Sequence, residues 1–90
     1  MVISISAETI DRIEALINRL ARSGNRCWER ANEADERGDD ATARLYRKQS
    51  YAYDKGDAIC ASILDELGIK YKYVYNEKED VDLISIQYPE

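Results

Sequence analysis

The sequence predicts an α+β chain that is mainly helical. A long antiparallel helical hairpin occupies about residues 7–37 and 41–67, a β-hairpin follows at 69–76 and 81–88, and a short N-terminal strand is expected at 2–5. Three observations predict this. Small and apolar residues (Ile10, Ile13, Ile17, Leu20, Gly24, Cys27, Ala31, Ala34) recur at alternating steps of three and four, the spacing of a helix seam. Gly38 and Gly68 stand where two such patterns stop. Beyond Gly68 the period changes to two.

The opening Val2-Ile3-Ser4-Ile5 is β-branched and suits a brief strand. Ser6 can then cap helix one through its hydroxyl, with Glu8 and Asp11 placed against the positive helix end. Beside the seam runs a polar cycle: Asn18, Asn25 and Asn32 recur every seven residues, as do Arg12, Arg19 and Arg26. After Gly38, Asp39 or Asp40 caps helix two. Its stripe reads Tyr46, Gln49, Tyr53, Gly56, Cys60, Ile63 and Leu67, broadened by Leu45, Ala52 and Ile59. Gly68 ends it, with Ile69 placed to touch Leu64 in a Schellman closure.

A two-residue turn forces the helices antiparallel, so facing residue numbers sum to about 78. Gly24 and Gly56 fall near one level. They mark either a close crossing with Tyr53 over Gly24, or breaks that divide the helices. In the β-hairpin a four-residue loop at Glu77 to Asp80 pairs Tyr73 with Ile84, Tyr71 with Ile86 and Ile69 with Tyr88, leaving one face apolar and aromatic. The stretch from Ala34 through Gly38-Asp39 to Ala43 and Tyr46 resembles the turn of a tetratricopeptide-type helical pair. That resemblance covers a dozen residues in one copy and implies a helical hairpin, not a solenoid.

Ninety residues fit a single domain over 1–90, one small enough that self-association would help its stability. The chain has no histidine, which removes the commonest general base near neutral pH and the commonest metal ligand. Cys27 and Cys60 lack metal-site spacing and lie too far apart along a hairpin to be bridged. Catalytic residues, metal and cofactors are therefore expected to be none. No signal-like start or membrane-length apolar run is present, which leads us to expect a cytoplasmic protein without membrane contact.

The formal charge of −5 argues against direct nucleic-acid binding. It is also uneven. Glu29, Glu33, Glu36, Asp39 and Asp40 form an acidic tip; a second cluster, Glu77, Glu79, Asp80 and Asp82, surrounds Lys78, and its Glu77, Glu79 and Asp80 join Tyr75 and Tyr88 on the β-hairpin. Both groups are candidate partner-binding surfaces, because fixed negative charges can stand in for a phosphate backbone and tyrosines suit half-wet interfaces. Ile13, Ile17, Leu20 and Trp28 are the candidates for self-association into a dimer. The expected function is a non-enzymatic protein-binding module. Its most concrete form is a small acidic inhibitor of the phage or mobile-element kind, anti-CRISPR-like or a DNA mimic, that occupies a basic nucleic-acid-binding surface of a host protein. A self-assembling helical-hairpin scaffold is one alternative; an oligomer that sequesters nucleotides with its Arg and Asn side chains is the other.

Overall fold

The computed structural model describes residues 5–87. Helix α1 spans Ala7–Glu36 and helix α2 Asp40–Glu66; strands β1 (Tyr71–Asn76) and β2 (Val81–Ile86) form one antiparallel two-stranded sheet. The expected architecture is present. The proposed strand at 2–5 falls mostly outside the described residues, and Ile5 itself is non-strand, packed at the edge of the core. Among the described residues no helix is long and apolar enough to cross a membrane.

Local chemistry accounts for the ends of the elements. The Ser6 hydroxyl accepts the Thr9 N–H at 3.2 Å, and Asp39 Oδ1 accepts the Thr42 N–H at 3.2 Å. Both helices close in the same way. Asp39 N–H reaches Ala34 O and Gly38 N–H reaches Asp35 O, each at 2.9 Å, while Ile69 N–H reaches Leu64 O at 2.9 Å and Gly68 N–H reaches Asp65 O at 3.1 Å. These are Schellman pairs, and the left-handed φ of +74° at Gly38 and +72° at Gly68 is the conformation that glycine adopts without steric penalty.

Strand β1 starts at Tyr71 rather than 69, because the Ile69 N–H is already engaged in closing α2. The register is the expected one, Tyr71 opposite Ile86 and Tyr73 opposite Ile84. The expected pairing of Ile69 with Tyr88 involves a residue outside the described range. In the turn, Asn76 Oδ1 accepts the Glu79 N–H at 2.9 Å, and Asp80 takes a left-handed φ of +53°.

The hairpin is continuous through both glycines. A Cβ at Gly24 would stand 2.8 Å from Asp54 Oδ1 and 3.3 Å from Tyr53 Cβ, so α1 and α2 cross closely there. Gly56 is not part of that crossing: a Cβ there meets only Leu20 Cδ1, at an ordinary 3.7 Å. The Ser50 hydroxyl, buried at the crossing, donates to Gly24 O at 2.9 Å.

The core is built from Ile10 and Ile17 of α1, Leu64 of α2 and Ile84 and Ile86 of β2. One expectation needs correcting. On α2 the buried positions are Ala43, Ser50, Ala61 and Leu64, while Leu45, Ile59, Ile63 and Leu67 of the expected stripe are exposed. The sheet docks mainly on α1, through β2; on α2 Leu64 joins the core with Ile84 and Ile86 and Ser50 meets α1 at the crossing, which leaves the larger aliphatic stripe on the far side.

The polar cycle on α1 also finds its role here. Asn18 Nδ2 donates to Ile84 O at 3.1 Å and Asn18 Oδ1 accepts the Ile84 N–H at 2.7 Å; Glu14 Oε2 accepts the Ile86 N–H at 3.0 Å. Helix side chains thus serve the outer edge of β2 as a third strand would. Asn25 Nδ2 donates to Glu79 O at 3.1 Å, and Arg22 pairs with the Glu79 carboxylate at 3.1 Å, fixing the turn on α1. Two of the three heptad asparagines hold the sheet rather than face a nucleotide.

Candidate functional site: an acidic aromatic cleft

Where the sheet ends along the hairpin, the helices continue toward their turn, and the step between them forms a cleft of about 560 Å³. Its floor is the crossing: Ala21 and Gly24 of α1, Ser50 of α2. Trp28, Tyr51 and Tyr73 supply its aromatic walls. Asp54 and Asp57 of α2 and Asp82 of β2 supply carboxylates. Helix periodicity brings Tyr51, Asp54 and Asp57 to one side of α2 by steps of three. Strand register places Asp82 opposite Tyr75, at the end of the sheet near its turn.

The aromatic rings are held in place. Trp28 and Tyr51 lie with centroids 6.2 Å apart, tilted by 55°, and Arg47 sits over the Trp28 ring at 5.5 Å while pairing with Asp35. Tyr73 meets Tyr71 edge-on at 5.9 Å. Both hydroxyls reach the rim of the helices, as expected for a sheet face packed on them: Tyr71 donates to Asp65 at 3.2 Å and Tyr73 to Asp57 at 3.5 Å.

The electrostatics follow from this crowding. Burial pushes the Asp57 carboxyl above its ordinary value, and the neighbouring Asp54 charge adds to that, against the lowering effect of the Tyr73 hydroxyl. Burial, with the Asp57 charge second, pushes the Tyr73 phenol up to about 12. In both, burial is the leading cause and a neighbouring carboxylate adds to it. Among the described residues no group of three or more His, Cys, Asp or Glu side chains is arranged to hold a metal ion.

The expected site residues fall around this cleft in different ways. Glu29, Glu33, Glu36, Asp39 and Asp40 are all exposed at the tip. Asp39 doubles as the cap of α2, and the Thr42 hydrogen bonds hold its carboxyl below the usual range. On the β-hairpin Glu77 is exposed, Glu79 is paired with Arg22, and Asp80 accepts the Tyr75 hydroxyl. Tyr88 lies outside the described residues. The cleft runs along α1 from Ala21 to Trp28, beside the β-hairpin turn that Arg22 and Asn25 hold.

The self-association candidates are divided. Ile17 is 3% exposed in the chain's own core and Ile13 packs against the same cluster, so neither forms a free seam. Leu20 is half-buried beside Gly56, and Trp28, 40% exposed, is a wall of the cleft. Sequence reasoning does not single out Asp54 or Asp57, and reads Asp82 only as a member of the acidic cluster on the β-hairpin. The signal was the Tyr51-Asp54-Asp57 spacing, a polar-aromatic line one helical step from the apolar stripe. Comparison with protein-family models, with curated proteins and with solved structures finds no match to this chain.

Proposed function

We propose that the chain is a non-enzymatic protein-binding module whose acidic, aromatic surface occupies a basic, nucleic-acid-binding surface of a partner protein and blocks it. One observation carries this reading: Asp54, Asp57 and Asp82 converge with Trp28, Tyr51 and Tyr73 on one open cleft. Carboxylates beside aromatic faces suit a guanidinium or ammonium group, which gains charge-assisted hydrogen bonds and a cation–π contact together. Trp28 already accepts Arg47 on its ring in this way. The acidic tip and the Glu77–Asp80 turn extend the negative surface on either side, as a partner with several basic side chains would require.

Four of the eight arginines support the same reading. Arg12 pairs with Glu8, Arg22 with Glu79 and Arg47 with Asp35, while Arg30 lies over the Tyr46 ring at 5.9 Å. Charges so engaged, in a chain of net charge −5, are poorly placed to hold phosphates.

Trp28 is the sole tryptophan and so reports directly on the cleft. A hexa-arginine peptide titrated into the protein should change its fluorescence with saturation, and the affinity should fall as salt rises. The same peptide with Asp54→Asn/Asp82→Asn protein should bind at least about tenfold more weakly, the effect of losing one charge-assisted contact. Equal binding by both proteins, or no response to the peptide, would overturn the proposal.

A further inference from the structure

We infer that the face of the helical hairpin turned away from the sheet seats a second copy of this chain, the two hairpins closing into a four-helix bundle. The inference stands apart from whatever fills the cleft, which lies on the opposite side.

The first ground is the misplaced stripe. The sheet covers one side of the hairpin, through Asn18 and Glu14 on α1 and through Asp57 and Asp65 on α2. By helical phase the other side carries Leu16 and Leu20 on α1 and Leu45, Ile59 and Ile63 on α2. Leu16, Leu45, Ile59 and Ile63 are 55%, 56%, 54% and 53% exposed, whereas α2 buries Ala43, Ser50, Ala61 and Leu64. A single exposed aliphatic residue is ordinary; four on one side of the hairpin, with Ile59 and Ile63 one helical turn apart on α2, are of the kind that marks an interface.

The second ground is area. The chain exposes 6719 Å² at 10.4 kDa, whereas a compact monomer of that mass exposes about 5,400 Å², an excess of about 1,300 Å². A standard two-partner interface removes about 800 Å² from each side. The shape agrees: the radius of gyration is 15.7 Å against about 12 Å for a compact chain of this length, and the shortest dimension is 17 Å. One slab stacked on another of its kind would remove about 800 Å² of that excess from each copy.

The third ground is self-complementarity. A two-fold contact sets one patch against itself, which a stripe of uncharged aliphatic side chains on both helices permits.

Sedimentation equilibrium tests this. The parent protein should run at twice 10.4 kDa at about 100 µM, a concentration well above a micromolar dissociation constant. Ile59→Glu/Ile63→Glu should run at the monomer mass with an unchanged far-ultraviolet circular dichroism spectrum, since both side chains are half exposed in the monomer. Leu16→Glu, on the other helix, should do the same and serves if the double variant unfolds. Asp54→Asn/Asp82→Asn should keep the doubled mass. A parent protein at monomer mass, a larger assembly, or a doubled mass that survives both seam variants or is lost in the cleft variant would overturn the inference.

Discussion

Replacing Asn18 by alanine should damage this fold more than its size suggests. The side chain is buried and carries both hydrogen bonds that join α1 to the middle of β2, at 2.7 and 3.1 Å from the Ile84 backbone. Ile84 itself is 2% exposed, so water cannot readily replace them. Alanine leaves one buried N–H and one buried C=O without partners, each costing about 1–3 kcal/mol. Taking the lower part of that range for both gives a loss of about 2–4 kcal/mol. The whole domain is expected to hold about 5–13 kcal/mol, so the variant should be visibly marginal. Urea unfolding followed by circular dichroism at fixed protein concentration gives the difference. Hydrogen exchange at the Ile84 amide localises it, because that proton should lose protection first. Asn25→Ala, which removes exposed bonds to Glu79 O and Glu29 Oε1, should cost less than about 1 kcal/mol. An Asn18→Ala protein within about 0.5 kcal/mol of the parent would show that the edge of β2 is not held as described.

Other expectations concern the glycines and the titrating groups. Gly24→Ala should destabilise by about 1 kcal/mol or more in urea, since the new methyl meets Tyr53 Cβ at 3.3 Å, whereas Gly56→Ala should stabilise by about 0.5–1 kcal/mol through helix propensity alone. In a spectrophotometric titration the phenol missing from Tyr73→Phe should be one that ionises near 12, and Asp57→Asn should lower that midpoint. Because the Tyr73 value is raised on folding, its contribution to stability is complete below the ordinary pKa of 10.0 and is lost as pH rises through about 12. Asp39→Ala should lower stability at neutral pH, because it removes the cap of α2. Since the Asp39 value is lowered on folding, that difference should shrink as pH falls below the ordinary 3.8, which urea unfolding at neutral and acid pH checks.

Much of this architecture is legible in residue order because local rules decide it. Gly38 and Gly68 end helices by a backbone geometry that few other residues accept. The β-hairpin register follows from a four-residue loop and a period of two, and Tyr73 opposite Ile84 is fixed once both are read. Helix α2 shows where such rules stop. Its most apolar stripe, through Ile59 and Ile63, is the one left exposed, because the third layer of the fold chooses which side of a helix is buried. The cleft is hidden for a related reason. Asp54 and Asp57 sit on α2 and Asp82 on β2, and only the close crossing at Gly24 and the docking of the sheet bring them to one place.

Isothermal titration of hexa-arginine against two matched double variants tests the cleft most directly. Asp54→Asn/Asp82→Asn and Glu33→Gln/Glu36→Gln remove the same number of charges, one pair inside the cleft and the other on the exposed tip. The cleft pair should lose at least about tenfold in affinity, and the tip pair less than about threefold, as expected of screened surface charges. Equal losses, or a larger loss for the tip pair, would mean that net charge alone draws the partner and that the aromatic cleft is not its seat.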